Sequence, residues 1–198
     1  SIPELQKVAD KMPVYVEEGY TATLRQRLRK GELDVIIVAL PFSEADVVTQ
    51  PLFDEHFVVL MPTDHPLAAK DVIAPDDLDE HNVLLLGEGH CFRDQVLAAC
   101  PHLQSSADDA TGRRRTAGEG SSLETLRHMV ASGLGITVLP LSAAMTTGYS
   151  SDVLVTRPFA PPAPSRTIAL AWRASFPRFK AIDALRRAIN MCRMPGAE

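Results

Sequence analysis

Residues 14–38, VYVEEGYTATLRQRLRKGELDVIIV, hold the pattern that decides the fold class. Val14 and Val16 alternate as in a short strand, and Leu24 and Leu28 then recur at helical spacing within 23–30. Gly31 is placed to cap that helix, and Val35-Ile36-Ile37-Val38 is a continuous apolar run of the buried-strand kind. Strand, helix and strand in this order predict a βαβ unit, and hence a parallel sheet covered by helices, because the crossover lays its helix on one face of the strands it joins.

Outward from this stretch, strands are expected at 47–53 and 57–61, a turn at Asp64-His65-Pro66, a short helix over 75–78 and a strand at 83–86. A helix over about 91–100 is stopped by Pro101. Residues 104–120 are polar, hold Asp108, Asp109, Arg113, Arg114 and Arg115, and are expected to form a mobile surface loop. Ser121-Ser122-Leu123-Glu124 has the S-x-x-E form of a capping box, with Leu123, Leu126 and Val130 on one face of the helix it opens and Gly133 at its end. A strand at 136–139 completes a second βαβ-like region. The tail predicts strands at 153–157 and 166–172, separated by the proline-rich loop 158–164, and a helix over 179–192.

The 198 residues suffice for one large or two small domains with an ordinary core. Apolar residues make up 45% and charged residues 23%, with a mean hydropathy of zero, which fits neither a disordered nor a membrane-resident chain. The longest apolar runs fall far short of the roughly 20 residues that cross a bilayer, and no signal-peptide core precedes them. A net charge of −5 argues against a surface that grips nucleic-acid phosphates on its own. Three cysteines, an odd number, suit a reducing compartment, so a cytoplasmic location is expected, and a cysteine pair here is suspected of chemistry. The absence of an initiator Met is read as a piece of a longer protein.

The chemistry concentrates in Leu86-Gly87-Glu88-Gly89-His90-Cys91-Phe92-Arg93-Asp94-Gln95. Cys91 sits where a strand leaves through glycines into a helix, so unpaired amides and the positive end of the helix dipole favour its thiolate, with Arg93 close in sequence and His90 as a proton or hydrogen-bond partner. The plainer reading is a small apolar residue at a helix start. Cys100 lies nine residues on. In an intact helix that is about 13.5 Å along the axis and on the opposite face, whereas a disulfide needs Cα atoms roughly 4.4–6.8 Å apart. A bond between the two would therefore require the segment to unwind. Closing such a loop is worth about 2.7 kcal/mol in the chain-entropy model, comparable with the cost of melting a few turns, which is the balance a reversible switch needs.

Other constellations are thinner. His90, Cys91, Cys100 and His102 could be a metal set, but no C-x-x-C or H-E-x-x-H spacing supports it. A Cys-His hydrolase lacks a local signature around Cys91, and the glycines beside Glu88 and Glu119 are too few for a phosphate cradle. Arg113 to Arg115 reads as a solvated loop or a partner contact, and Cys192 as a packing residue or an inert thiol.

Glu88 to Gln95 with Cys100, together with Ser122-Leu123-Glu124-Thr125-Leu126-Arg127 and Gly135-Ile136-Thr137-Val138-Leu139-Pro140, resemble the regulatory domain of the OxyR family of peroxide-sensing LysR-type transcriptional regulators. Pro51-Leu52-Phe53-Asp54-Glu55, Asp64-His65-Pro66 and Arg166-Thr167-Ile168 are similar to further pieces of it, so the likeness covers nearly the whole chain. The resemblance implies two α/β subdomains like those of periplasmic binding proteins, the first formed by 1–54 and 168–198 and the second, with the redox cysteines, by 55–167. It implies that Cys91 is the peroxidatic cysteine and Cys100 the resolving one, with Thr21, His90, Arg166 and Asp94 at the peroxide-binding site. No metal or cofactor is implied.

As partners it implies hydrogen peroxide, a second copy of this domain, a tetramer in the full-length protein, promoter DNA, RNA polymerase, and a thiol reductant such as glutaredoxin for reset. The DNA would be held by an N-terminal winged helix-turn-helix domain, which this sequence lacks. The family also has a strand and loop, with another pocket threonine, before the helix that residues 2–12 represent. Two readings stand beside this one: a metabolite-binding LysR-type effector domain with incidental cysteines, and a catalytic thiol enzyme.

Overall fold

A computed structural model of the chain describes residues 13–105, 118–145 and 152–191. The chain divides into two units, Ser1–Glu55 with Arg166–Glu198, and His56–Ser165.

In the first unit, α1 (Thr21–Lys30) ends at Gly31, whose left-handed backbone (φ 79°) returns its amide to the carbonyls of Arg27 and Leu28. Strand β1 (Val35–Ala39) pairs antiparallel with β7 (Ser165–Arg173), Ile36 opposite Ala171 and Val35 opposite Trp172. Because side chains alternate across a strand, the pair carries two apolar faces. Ile36, Val38 and Ala171 pack with Leu28 and Phe42, while Leu170 and Trp172 pack with Phe176 and with Ile182 of α6 (Phe179–Met191). The guanidinium of Arg173 donates to the carbonyls of Leu28 and Leu33, tying β7 to the end of α1.

This corrects the predicted parallel βαβ unit. Residues 14–18 are not a strand, and among the described residues β1 is paired with a distant antiparallel strand. Val14, Tyr15 and Val16 are all exposed, so alternation in sequence here found no ladder to join. The strands expected at 47–53 and 57–61 are one 16-residue strand, β2 (Val47–Pro62), whose polar middle marks the passage from the first unit to the second at Glu55 and His56.

In the second unit the later half of β2 pairs antiparallel with β5 (Ile136–Pro140) and β6 (Leu154–Pro158), while β3 (Val83–Leu86) runs parallel to β5 and to the two-residue β4 (Glu119–Gly120). All four side chains of β3 are buried, as a central strand covered on both faces requires. Between β3 and β4 lie α2 (Cys91–Ala99) and α3 (His102–Ser105), and between β4 and β5 lies α4 (Leu123–Ala131). The parallel, helix-linked arrangement expected around 83–139 is therefore present. Among the described residues, short 3-10 turns at Pro66–Ala69 and Pro75–Leu78 and α5 (Leu141–Ala144) are the unit's remaining elements.

The cap of α4 is one residue later than the sequence pattern suggested. Ser122, not Ser121, is the N-cap and accepts from the Thr125 amide at 3.1 Å, which puts Glu124 in the first turn beside Arg127 instead of at the capping-box position. Of the predicted loop 104–120, its start is the end of α3 and its finish is β4; 106–117 lie outside the described residues, as do the expected helix 2–12 and Cys192. No helix among the described residues is long and apolar enough to cross a membrane.

Candidate functional site

The site grows from the exit of β3. Gly89 takes a left-handed backbone (φ 88°) with open space around it, so the turn 87–90 reverses without crowding and delivers His90 as the N-cap of α2. The His90 side chain makes no cap hydrogen bond, and Cys91 is the first helical residue. Its sulfur therefore stands, exposed and as a free thiol, at the positive end of the helix dipole. Asp94 lies exposed in the same first turn, on the side of the dipole that favours a carboxylate. His90, Cys91 and Asp94 are thus brought together as one turn of α2.

The first turn is fastened by its other residues. Phe92 is buried and meets the edge of the Phe57 ring, centroids 5.0 Å apart at 82°. Arg93 does not turn toward Cys91 as sequence proximity implied. Its Nη1 donates to the Leu86 carbonyl at 2.6 Å and pairs with Glu119 Oε1 at 2.8 Å, joining the start of α2 to the end of β3 and to β4.

Cys100 is the C-cap at the opposite end, 2% exposed, its amide bonded to the Val96 carbonyl at 2.8 Å. Burial, and then the negative charges of Asp79 and Asp76, push its thiol up to about 11. Both thiols are free, and the nine-residue helix between them is intact.

The four residues weighed as a metal set do not converge. His102 Nε2 instead lies 3.5 Å from Asp76 Oδ1, and with Asp79 these three bring ligand atoms within 4.8 Å of one another on the surface.

The remaining predicted residues belong to the first unit. Thr21 is the first residue of α1, half-buried, with Tyr20 as the N-cap. Arg166, near the start of β7, is bound through Nε and Nη2 to Glu55 Oε2, both at 2.8 Å, with Glu55 only 4% exposed. Beside this pair, Thr167 donates to Asp54 Oδ1 at 2.6 Å. Glu55 and Glu119 are the partners sequence reasoning missed, since each meets an arginine far away in the chain and no local spacing marks it.

The LysR substrate binding domain matches residues 1–192, and the mixed α/β units described above are consistent with that class. The chain belongs to that family. Within it, the chain is 55% identical to the reduced form of the OxyR regulatory domain from Pseudomonas aeruginosa, with a TM-score of 0.85 over 96% of this chain and 89% of that one. It is 43% identical to a reduced form of OxyR from N. meningitidis, with a TM-score of 0.89 over 100% of this chain and 89% of that one. A probable hydrogen peroxide-inducible genes activator of Streptomyces viridosporus is 41% identical over 189 residues, covering 94% of this chain and 59% of its own length. The chain thus spans about three fifths of the length of the curated relatives it matches.

Proposed function

We propose that this chain is the hydrogen peroxide-sensing regulatory domain of a LysR-type transcriptional regulator, switched by a bond between Cys91 and Cys100. The observation that carries the reading is the pair of free thiols at the two ends of one short helix, Cys91 exposed at its start and Cys100 buried at its end. Similarity to OxyR regulatory domains along nearly the whole chain supports it.

The Cys91 thiolate attacks one peroxide oxygen, forming an S–O bond as the O–O bond breaks and hydroxide leaves. Cys91 is thereby oxidised by two electrons to a sulfenic acid and the peroxide is reduced. Cys100 sulfur then attacks Cys91 sulfur, the S–O bond breaks, and the lost oxygen leaves as water once the Cys100 proton is counted. By resemblance to the family, Thr21, His90, Arg166 and Asp94 are the residues we assign to peroxide: His90 and Asp94 stand in the turn that carries Cys91, and Thr21 and Arg166 belong to the first unit, where Arg166 is paired with Glu55. Each turnover consumes one peroxide and leaves the domain oxidised, so the domain acts as a stoichiometric sensor and not as an enzyme, reset by a two-electron thiol reductant such as glutaredoxin.

The first unit then corresponds to regulatory subdomain I and the second to the subdomain carrying the redox cysteines. The change of shape passes to a second copy of the domain, to a tetramer in the full-length cytoplasmic protein, and to promoter DNA and RNA polymerase through an N-terminal DNA-binding domain. Mass spectrometry after one equivalent of peroxide tests the reading. A Cys91–Cys100 bond in the wild type, lost in Cys91→Ser, is expected. No such bond, or a ligand that shifts the melting temperature alike in wild type and Cys91→Ser, returns the chain to the metabolite-binding members of its family.

A further inference from the structure

We infer that Arg93 is a latch that holds the first turn of α2 in its helical state and sets the rate at which Cys91 and Cys100 join. This rests on the proposed redox reading, since it concerns the step in which the helix must open.

The geometry of α2 separates its two cysteines, and the first turn has to leave the helix, or the last turn has to unwind toward it, before the sulfurs can meet. Phe92 anchors the first turn by apolar contact with Phe57, which can slide. Arg93 anchors it by directed bonds, which cannot. Its Nη1 holds the Leu86 carbonyl, the last residue of β3, and Glu119 Oε1, the first residue of β4. Arg93 is 19% exposed and Glu119 54%, so the carbonyl end of the latch is sheltered and the carboxylate end is open to water and salt.

β4 is a short strand held by β3 on one side and by α4 on its face. It is two residues long, bonded to β3 and the turn after it through Leu85 to the Gly118 carbonyl at 3.3 Å and Gly87 to the Gly120 carbonyl at 3.0 Å. It is also tightly fitted: a side chain at Gly120 would stand 2.7 Å from Leu126 of α4. The latch therefore joins the element that must move, α2, to a strand packed against α4, and its release loosens both. Arg93 acts through the helix it holds and is a positioning residue; it does not touch the reacting sulfurs in this assignment.

The test separates the two chemical steps. After a single equivalent of peroxide, sulfenic acid is trapped with a dimedone-type reagent in a Cys100→Ser background, and disulfide closure is followed by mass spectrometry in chains that keep both cysteines. Glu119→Gln, which keeps a hydrogen-bonding group and removes the charge, is expected to speed closure about threefold and to remove most of its dependence on salt. Arg93→Ala is expected to speed closure about tenfold. Sulfenic acid formation stays at the wild-type rate in both. Unchanged closure in both variants, or sulfenic acid formation rising in step with closure, overturns the latch. Amide hydrogen exchange of the reduced proteins reads the clamp without peroxide: faster exchange at both 92–95 and 119–120 in Glu119→Gln is expected, and unchanged exchange overturns it. A wild-type chain that forms no Cys91–Cys100 bond defeats the redox reading alone, and the clamp is then decided by the exchange result.

Discussion

The two ends of α2 carry the same side chain in opposite surroundings. At the start, Cys91 is exposed at the positive end of the helix dipole, in the same turn as Asp94; at the end, Cys100 is buried among apolar neighbours, with Asp76 and Asp79 close enough to oppose its ionisation. In the proposed switch, the exposed thiol is the one to meet the oxidant and the buried one, held protonated, is the one to join it when the helix opens. The difference teaches that one helix of nine residues can place two identical side chains in opposite surroundings, one at a positive, wet end and one at an apolar, dry end.

Alkylation at pH 8 under native conditions tests this contrast most sharply. With its thiol at about 11, Cys100 is ionised in about one molecule in a thousand, and burial slows it further. Iodoacetamide mass mapping is expected to label Cys91 at least a hundredfold faster, and comparable rates would erase the distinction between the two ends. Next, Phe92→Ala removes the ring that seats the first turn on Phe57 and costs about 3–5 kcal/mol, read from the denaturant midpoint. A loss under 1 kcal/mol would show that the start of the helix is not anchored by apolar packing.

A smaller effect concerns pH. The Cys100 thiol is raised from its ordinary value of 9.0 to about 11 in the folded chain, so between these values the folded state binds more protons than the unfolded one. The contribution is therefore complete below pH 9 and is lost as pH rises toward 11. Thermal melts at pH 8 and pH 10.5 are expected to differ more in the wild type than in Cys100→Ala, and equal differences would remove the buried thiol from the account. The smallest effect belongs to Asp94→Asn, which takes an acidic residue from the first turn and lowers stability by about 0.3–1 kcal/mol at low salt, with less loss at high salt. A salt-independent loss would point away from the helix dipole.

Much of the second unit was legible because its signals are local. The buried run of β3, the glycine turn, the proline after Cys100 and the apolar face of α4 each act within a few residues, and each element lies within a residue or two of its expected position. The first unit was harder. Residues 14–18 have strand-like alternation, yet a strand exists only where another backbone completes its hydrogen bonds, and the antiparallel partner of β1 lies more than a hundred residues away. Likewise the polar residues Asp54 and Glu55 fall in the expected gap between two strands that are one long strand, because their polarity answers to Arg166 and Thr167 and not to a turn.

The chain's order of residues was enough to set the spacing of Cys91 and Cys100, the helix between them and the dipole that Cys91 faces, since helix geometry and capping act over a single turn. Only the tertiary structure decided which of the two thiols is wet and which is buried, that Arg93 reaches back to Leu86 and Glu119, and that Glu55 neutralises Arg166. Burial and ion pairing depend on which distant segments fold against a side chain, and no local pattern of residues records that.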